Sequence, residues 1–188
     1  MSQQEYLLSD EQMRRFVAHG YLILQTDFPA EFHDQLNARL DEVMTKEGNW
    51  GNNILPRISE VNDVFQNPII QGALTSVVGP GYVMHPHRHC HYTFPGRKVQ
   101  GWHKDSYWGH QKVRNHRNWW AMIFYYPHAV DEEMGPSGIF PAPNTMRNGP
   151  VTRPSSPSLW RAGRAPLPSS TTTSGIGAGP TTPRKIGR

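Results

Sequence analysis

The sequence predicts an α+β domain in which helices come first and strands follow. Three observations carry this. A helix-start signature at Ser9 opens a stretch whose apolar residues recur at helical spacing as far as Val78, the spacing shortens to two from Tyr82, and both patterns stop after Pro141.

Ser9 followed by Gln12 is a capping-box pattern: the hydroxyl can accept from the amide three residues on while the Gln side chain reaches back. It predicts a helix through residue 18, with Gly20 as its stop. Tyr21-Leu-Ile-Leu24 then reads as a strand. Residues 29–46 place Phe32, Leu36, Leu40 and Val43 on one helical face, and residues 68–78 form a further helix ended by Gly79-Pro80. Their apolar faces are expected in the core. Beyond Tyr82 the elements read as strands joined by turns such as Pro95-Gly96, with Gly135-Pro-Ser-Gly138 as another turn and Arg114-Asn-His-Arg117 as a solvated one.

The densest chemistry lies in Gly101-Trp102-His103-Lys104-Asp105-Ser106-Tyr107-Trp108. Side chains on an extended segment alternate, so His103 and Asp105 point to the same side, and one imidazole nitrogen and one carboxylate oxygen can reach a single metal ion. That is two-thirds of the 2-His-1-carboxylate triad that holds Fe(II) with open positions. Taken alone, a His-x-Asp pair is more often a surface ion pair than a ligand pair. The third ligand should be a His well downstream, but the last His in the sequence is His128. His85, His87, His89 and His91 also alternate. Four ligands along a straight strand would spread over about 20 Å at ~3.3 Å per residue, too far to meet at one zinc ion, so packing and hydrogen bonding are their expected roles.

Around the His-x-Asp pair, the segments Ser9 to Leu24, Trp119-Trp-Ala-Met-Ile-Phe-Tyr-Tyr-Pro127 and Met134-Gly-Pro-Ser-Gly-Ile-Phe-Pro141 follow in the order and spacing of the phytanoyl-CoA dioxygenase family. The chain resembles that family over residues 6–141, closely at the motifs and loosely between them. The resemblance implies a double-stranded β-helix (a cupin-like jelly roll) behind N-terminal helices, with Fe(II) as metal and 2-oxoglutarate as cosubstrate. It implies hydroxylation of an unactivated carbon in a small-molecule substrate. His103 and Asp105 match the family's first two iron ligands, and Trp120, by prior a core residue like Trp119, falls near the 2-oxoglutarate pocket.

Composition bounds the partners. The net charge of +4 would suit a nucleic-acid binder, but it is unevenly divided. Residues 1–141 hold 12 Lys and Arg against 15 Asp and Glu, a net of −3, whereas residues 142–188 hold 7 basic residues and no acidic one. The basic character belongs to the tail, and no nucleic-acid partner is expected. No apolar run is long enough to span a bilayer and no signal-peptide core follows the N-terminus, so a cytoplasmic protein without a membrane partner is expected. Cys90 is the only cysteine, which excludes an intramolecular disulfide and a Cys-based zinc site. No feature fixes an oligomeric state.

Residues 142–188 carry 8 of the 17 prolines, no Phe or Tyr, and one Trp. Too little apolar surface is available to offset the entropy of ordering them, so they are expected to form a disordered tail, distinct from the dioxygenase-like domain of residues 1–141. The genetic code gives a sharper account. If Pro141 to Asn148 is written CCG GCA CCC AAT ACT ATG AGA AAT, restoring one G after the first codon yields Pro-Gly-Thr-Gln-Tyr-Tyr-Glu-Lys, which continues Gly-Ile-Phe-Pro as the resembling family does. In the same shifted frame, Arg164 to Gly177 permits Gly-Thr-Val-Thr-Ile-Val-His-Tyr-Asp-Ile-Trp-His-Arg, and the C-terminal stretch beyond it permits Asn-His-Ser-Glu-Lys-Asn-Arg. The last Arg of this frame follows the last His of the first segment by eleven positions, the family's interval between its final iron ligand and its 2-oxoglutarate-binding Arg. The expectation is a frameshift at Pro141 or Ala142 that leaves the jelly roll incomplete and the chain inactive or nearly so. Its rival is a non-enzymatic scaffold that presents the basic tail to an acidic partner.

Overall fold

The computed structural model describes residues 3–86, 88–96, 118, 120–130, 134, 137–139 and 173–177, the last five by their backbone. Helix α1 (Asp10–His19) begins as its sequence dictates: the Gln12 amide donates to Ser9 Oγ at 3.3 Å and the Ser9 amide donates to Gln12 Oε1 at 2.8 Å. It ends at Gly20, whose φ of 79° is the left-handed conformation that favours glycine and whose amide donates to the Phe16 carbonyl. That reversal feeds strand β1 (Tyr21–Gln25), where Leu22 and Leu24 are buried and Ile23 between them is 46% exposed.

Helix α2 (Ala30–Glu47) buries Leu36, Leu40 and Val43 as its periodicity requires. Phe32 is only partly buried, and His33 beside it is buried instead. The short helix α3 (Val61–Gln66) was not expected, because six residues are fewer than two turns and carry no readable period. Asn67 joins it to helix α4 (Pro68–Val78). Its side chain accepts from the Ile69 amide at 3.0 Å and donates to Asp27 Oδ1 at 2.8 Å, while Pro68 takes the first helical position, where no amide partner is needed.

Phe16, Ile58, Ile70 and Ala73 have no exposed surface and, with the β1 and α2 residues, form one core. Phe16, Ile58 and Ile70 are each stabilising by roughly 1.5–3 kcal/mol relative to leaving the side chain in water. The N-terminal 3-10 turn (Gln3–Tyr6) closes over α4. A β-carbon on Gly72 would lie 2.0 Å from the Tyr6 carbonyl oxygen, so only glycine permits the approach, and the Leu8 amide donates to Ser76 Oγ at 2.9 Å just beyond.

The strands expected from Tyr82 onward form only in part. Among the described residues, 82–94 join no ladder. Polar contacts hold this stretch on the helical layer instead: the Arg88 amide donates to Asn52 Oδ1 at 3.3 Å, and the Tyr92 hydroxyl donates to Asp41 Oδ1 at 2.6 Å. The Pro95-Gly96 turn is present, with Gly96 at φ 75°. Strand β2 (Met122–Tyr125) lies within the aromatic segment.

Strand β3 (Thr173–Gly177) corrects a second expectation. These five residues fall in the stretch read as a disordered tail, yet they form the middle of a three-stranded sheet of order β1-β3-β2, antiparallel to both neighbours. Composition misleads here because a ladder is built from backbone amides and carbonyls, and a middle strand satisfies both of its edges whatever its side chains. The rest of the tail lies outside the described residues. The described strands are these three, fewer than a jelly roll contains.

Candidate metal and cofactor site

His103 and Asp105 lie outside the described residues, as do Trp119 and His87. Of the three expected site residues, Trp120 alone is described. It stands two residues before β2, is 38% exposed, and meets the His85 ring edge-on at 5.4 Å between centroids. Trp120 and His85 together make a partly open aromatic surface between the entry to β2 and the stretch after α4. Among the described residues no group of three His, Cys, Asp or Glu side chains is placed to hold a metal ion.

The other end of β2 is fastened to the helical layer. The Tyr125 hydroxyl and His33 Nδ1 are hydrogen-bonded at 2.5 Å, with the two rings stacked at 5.8 Å. Phe28 and Phe32 meet the imidazole edge-on. Burial lowers the His33 pKa and raises that of Tyr125, so both partners are held neutral. Neither residue was singled out from the sequence. They are 92 positions apart, and only the antiparallel sheet brings them together.

On the stretch that leads toward His103, His89 and His91 lie 5.4 Å apart, ring to ring. Cys90 between them packs against the core, and its thiol is pushed up to about 11, first by burial and then by the Asp41 carboxylate. At that value the sulfur is a protonated packing group at neutral pH. None of the described helices is long and apolar enough to cross a membrane.

No protein-family model and no curated protein matches the sequence. A solved structure does match, that of CytC3 with Fe(II) and alpha-ketoglutarate. It aligns with a TM-score of 0.54 and 13% sequence identity, over 97% of this chain and 78% of that one. The two chains share a fold. Their likeness extends along nearly the whole of this chain, at a sequence identity that speaks for the fold alone.

Proposed function

We propose that the chain is the first two-thirds of an Fe(II)/2-oxoglutarate-dependent dioxygenase of the phytanoyl-CoA dioxygenase type, followed by a segment translated out of frame. The observation that supports it best is the coincidence of the His103-x-Asp105 pair with the fold of CytC3, whose structure carries Fe(II) and alpha-ketoglutarate. His103 and Asp105 offer an imidazole nitrogen and a carboxylate oxygen, a donor set that suits Fe(II), and they fall one imidazole short of a facial triad. When bound, iron and the oxoacid would supply, with dioxygen as the oxidant, the chemistry for hydroxylating an unactivated carbon. Trp120 would form an aromatic wall of the oxoacid pocket, consistent with its half-open position beside His85. A small-molecule substrate and a cytoplasmic setting belong to the same reading.

The written sequence provides no His after His128 and no Arg at the matching interval, so the chain should lack activity or nearly so. Losing the Arg removes a bidentate, charge-assisted contact to the cosubstrate carboxylate. The competing scaffold reading needs a free basic tail. It is weakened by β3, which builds Thr173–Gly177 into the sheet.

Sequencing the coding DNA through Pro141 and Ala142 tests the frame, and anaerobic titration with Fe(II) tests the ligands. We expect codons that spell the displaced segment, together with weak iron binding that is abolished by His103→Ala or Asp105→Ala. Tight binding that survives both substitutions would overturn the assignment.

A further inference from the structure

The sheet contains a mismatch. β1 and β2 do not pair with one another; each pairs only with β3, in registers that set Tyr21, Gly177 and Met122 in one row, Leu22, Ile176 and Ile123 in the next, then Ile23, Gly175 and Phe124, and Leu24, Ser174 and Tyr125. The outer members of these rows are bulky, β-branched or aromatic. The middle members are two glycines, a serine and one isoleucine. Cross-strand side-chain pairs are what stabilise a sheet, and glycine contributes none while weakening the strand through its entropy. Two strong strands thus flank a place held by a weak one.

The chain enters that place from far away, with 47 residues between Tyr125 and Thr173. The proposed shift of reading frame would change the side chains of this connection beyond Pro141 but hardly its length. Either frame therefore delivers a strand to the same slot. Across the codons of β3 the displaced frame permits Asp-Ile-Trp-His-Arg, the end of a run that begins Thr-Val-Thr-Ile-Val-His-Tyr and is rich in β-branched and aromatic residues.

We infer that the place between β1 and β2 is an exchangeable strand site, whose preferred occupant is this out-of-register segment supplied as a separate peptide. The peptide adds by antiparallel pairing on both edges, displaces Thr173–Gly177, and restores the missing cross-strand rows. The identity of the occupant rests on the proposed frameshift; the slot rests on the sheet register alone.

The test uses the full 188-residue chain and the labelled synthetic peptide Gly-Thr-Val-Thr-Ile-Val-His-Tyr-Asp-Ile-Trp-His-Arg, with binding followed by fluorescence polarisation. Gly175→Pro removes a ladder amide from β3 and weakens the internal competitor, so the peptide should bind that variant at least ~10-fold more tightly than the parent. A peptide with the same side chains but N-methylated at alternate residues should not bind. Because Gly175→Pro could unfold the chain, hydrogen exchange on the parent gives a second reading. Added peptide should expose the amides of Thr173–Gly177 to exchange while those of β1 and β2 stay protected. No binding, binding indifferent to N-methylation, or unchanged protection of β3 would overturn the inference. Failure to bind when the DNA does spell the segment would sink the slot and leave the frameshift standing, whereas binding when the DNA spells something else would keep the slot and remove the frameshift.

Discussion

The two halves of the described chain are built to different standards of completeness. Before Gly79, α1, β1, α2, α3 and α4 converge on a core in which Phe16, Ile58, Ile70 and Ala73 have no exposed surface. After it, Val130 and Ile139 are the buried apolar residues among those described, while Val83, Met84, Phe94, Trp120 and Met134 are exposed at between 38% and 88%. The first half closes on itself through contacts between neighbouring elements. In the second, β2 pairs with Thr173–Gly177 from far downstream, a strand that also pairs with β1. The helical layer thus closes over neighbouring stretches of chain, and the described sheet over distant ones.

The comparison can be broken first in the helical layer, where the largest effects are expected. Ile58→Ala removes a fully buried side chain and should cost about 2–5 kcal/mol in denaturant unfolding. Gly72→Ala comes next. Its β-carbon would collide with the Tyr6 carbonyl, so we expect about 1–3 kcal/mol of destabilisation and faster exchange at the Leu8 amide that now rests on Ser76. A loss under 0.5 kcal/mol at either position would mean that this half is not the closed unit described.

Smaller effects sharpen the join between the halves. Tyr125→Phe leaves the buried His33 nitrogen without its partner and should cost about 1–3 kcal/mol. Burial lowers the His33 pKa below its ordinary 6.5, so the native state prefers the neutral ring and the unfolded chain takes up the proton first. The corresponding stability is whole above pH 6.5, declines as the pH falls below it, and is gone once the pH passes under the folded-state value. His33→Phe should flatten that slope in unfolding curves measured between pH 7 and 5; an unchanged slope would assign the pH dependence elsewhere. At the small end, Val83→Ser, at 88% exposure, should change stability by less than about 0.5 kcal/mol.

What the sequence disclosed follows the same division. Ser9, Gln12 and Gly20 mark α1 because caps are local chemistry, and Pro68 and Gly79 bracket α4 for the same reason. The period of two after Tyr82 could not tell which residues would find a partner. Arg88 and Tyr92 bond to Asn52 and Asp41 where ladders were expected, and among the described residues of that region β2 pairs. The His33–Tyr125 bond was illegible because its members meet only through the fold. β3 was hidden for a deeper reason: its neighbours determine its place, and its own residues carry no strand pattern. Of the expected site, Trp120 can be located and His103 and Asp105 fall outside the described residues, so their pairing rests on the spacing of two in the sequence.

We propose that one lost base separates this chain from a working enzyme. The most direct measurement is turnover of 2-oxoglutarate to succinate by the written chain and by a gene with one G inserted after the codon for Pro141, both supplied with Fe(II) and oxygen. The account predicts iron-dependent succinate from the repaired gene, even without a substrate to hydroxylate, and none from the written chain. It would be contradicted by a repaired protein that stays inert, or by a written chain that turns over at an ordinary enzymatic rate of ~1 to 10³ per second.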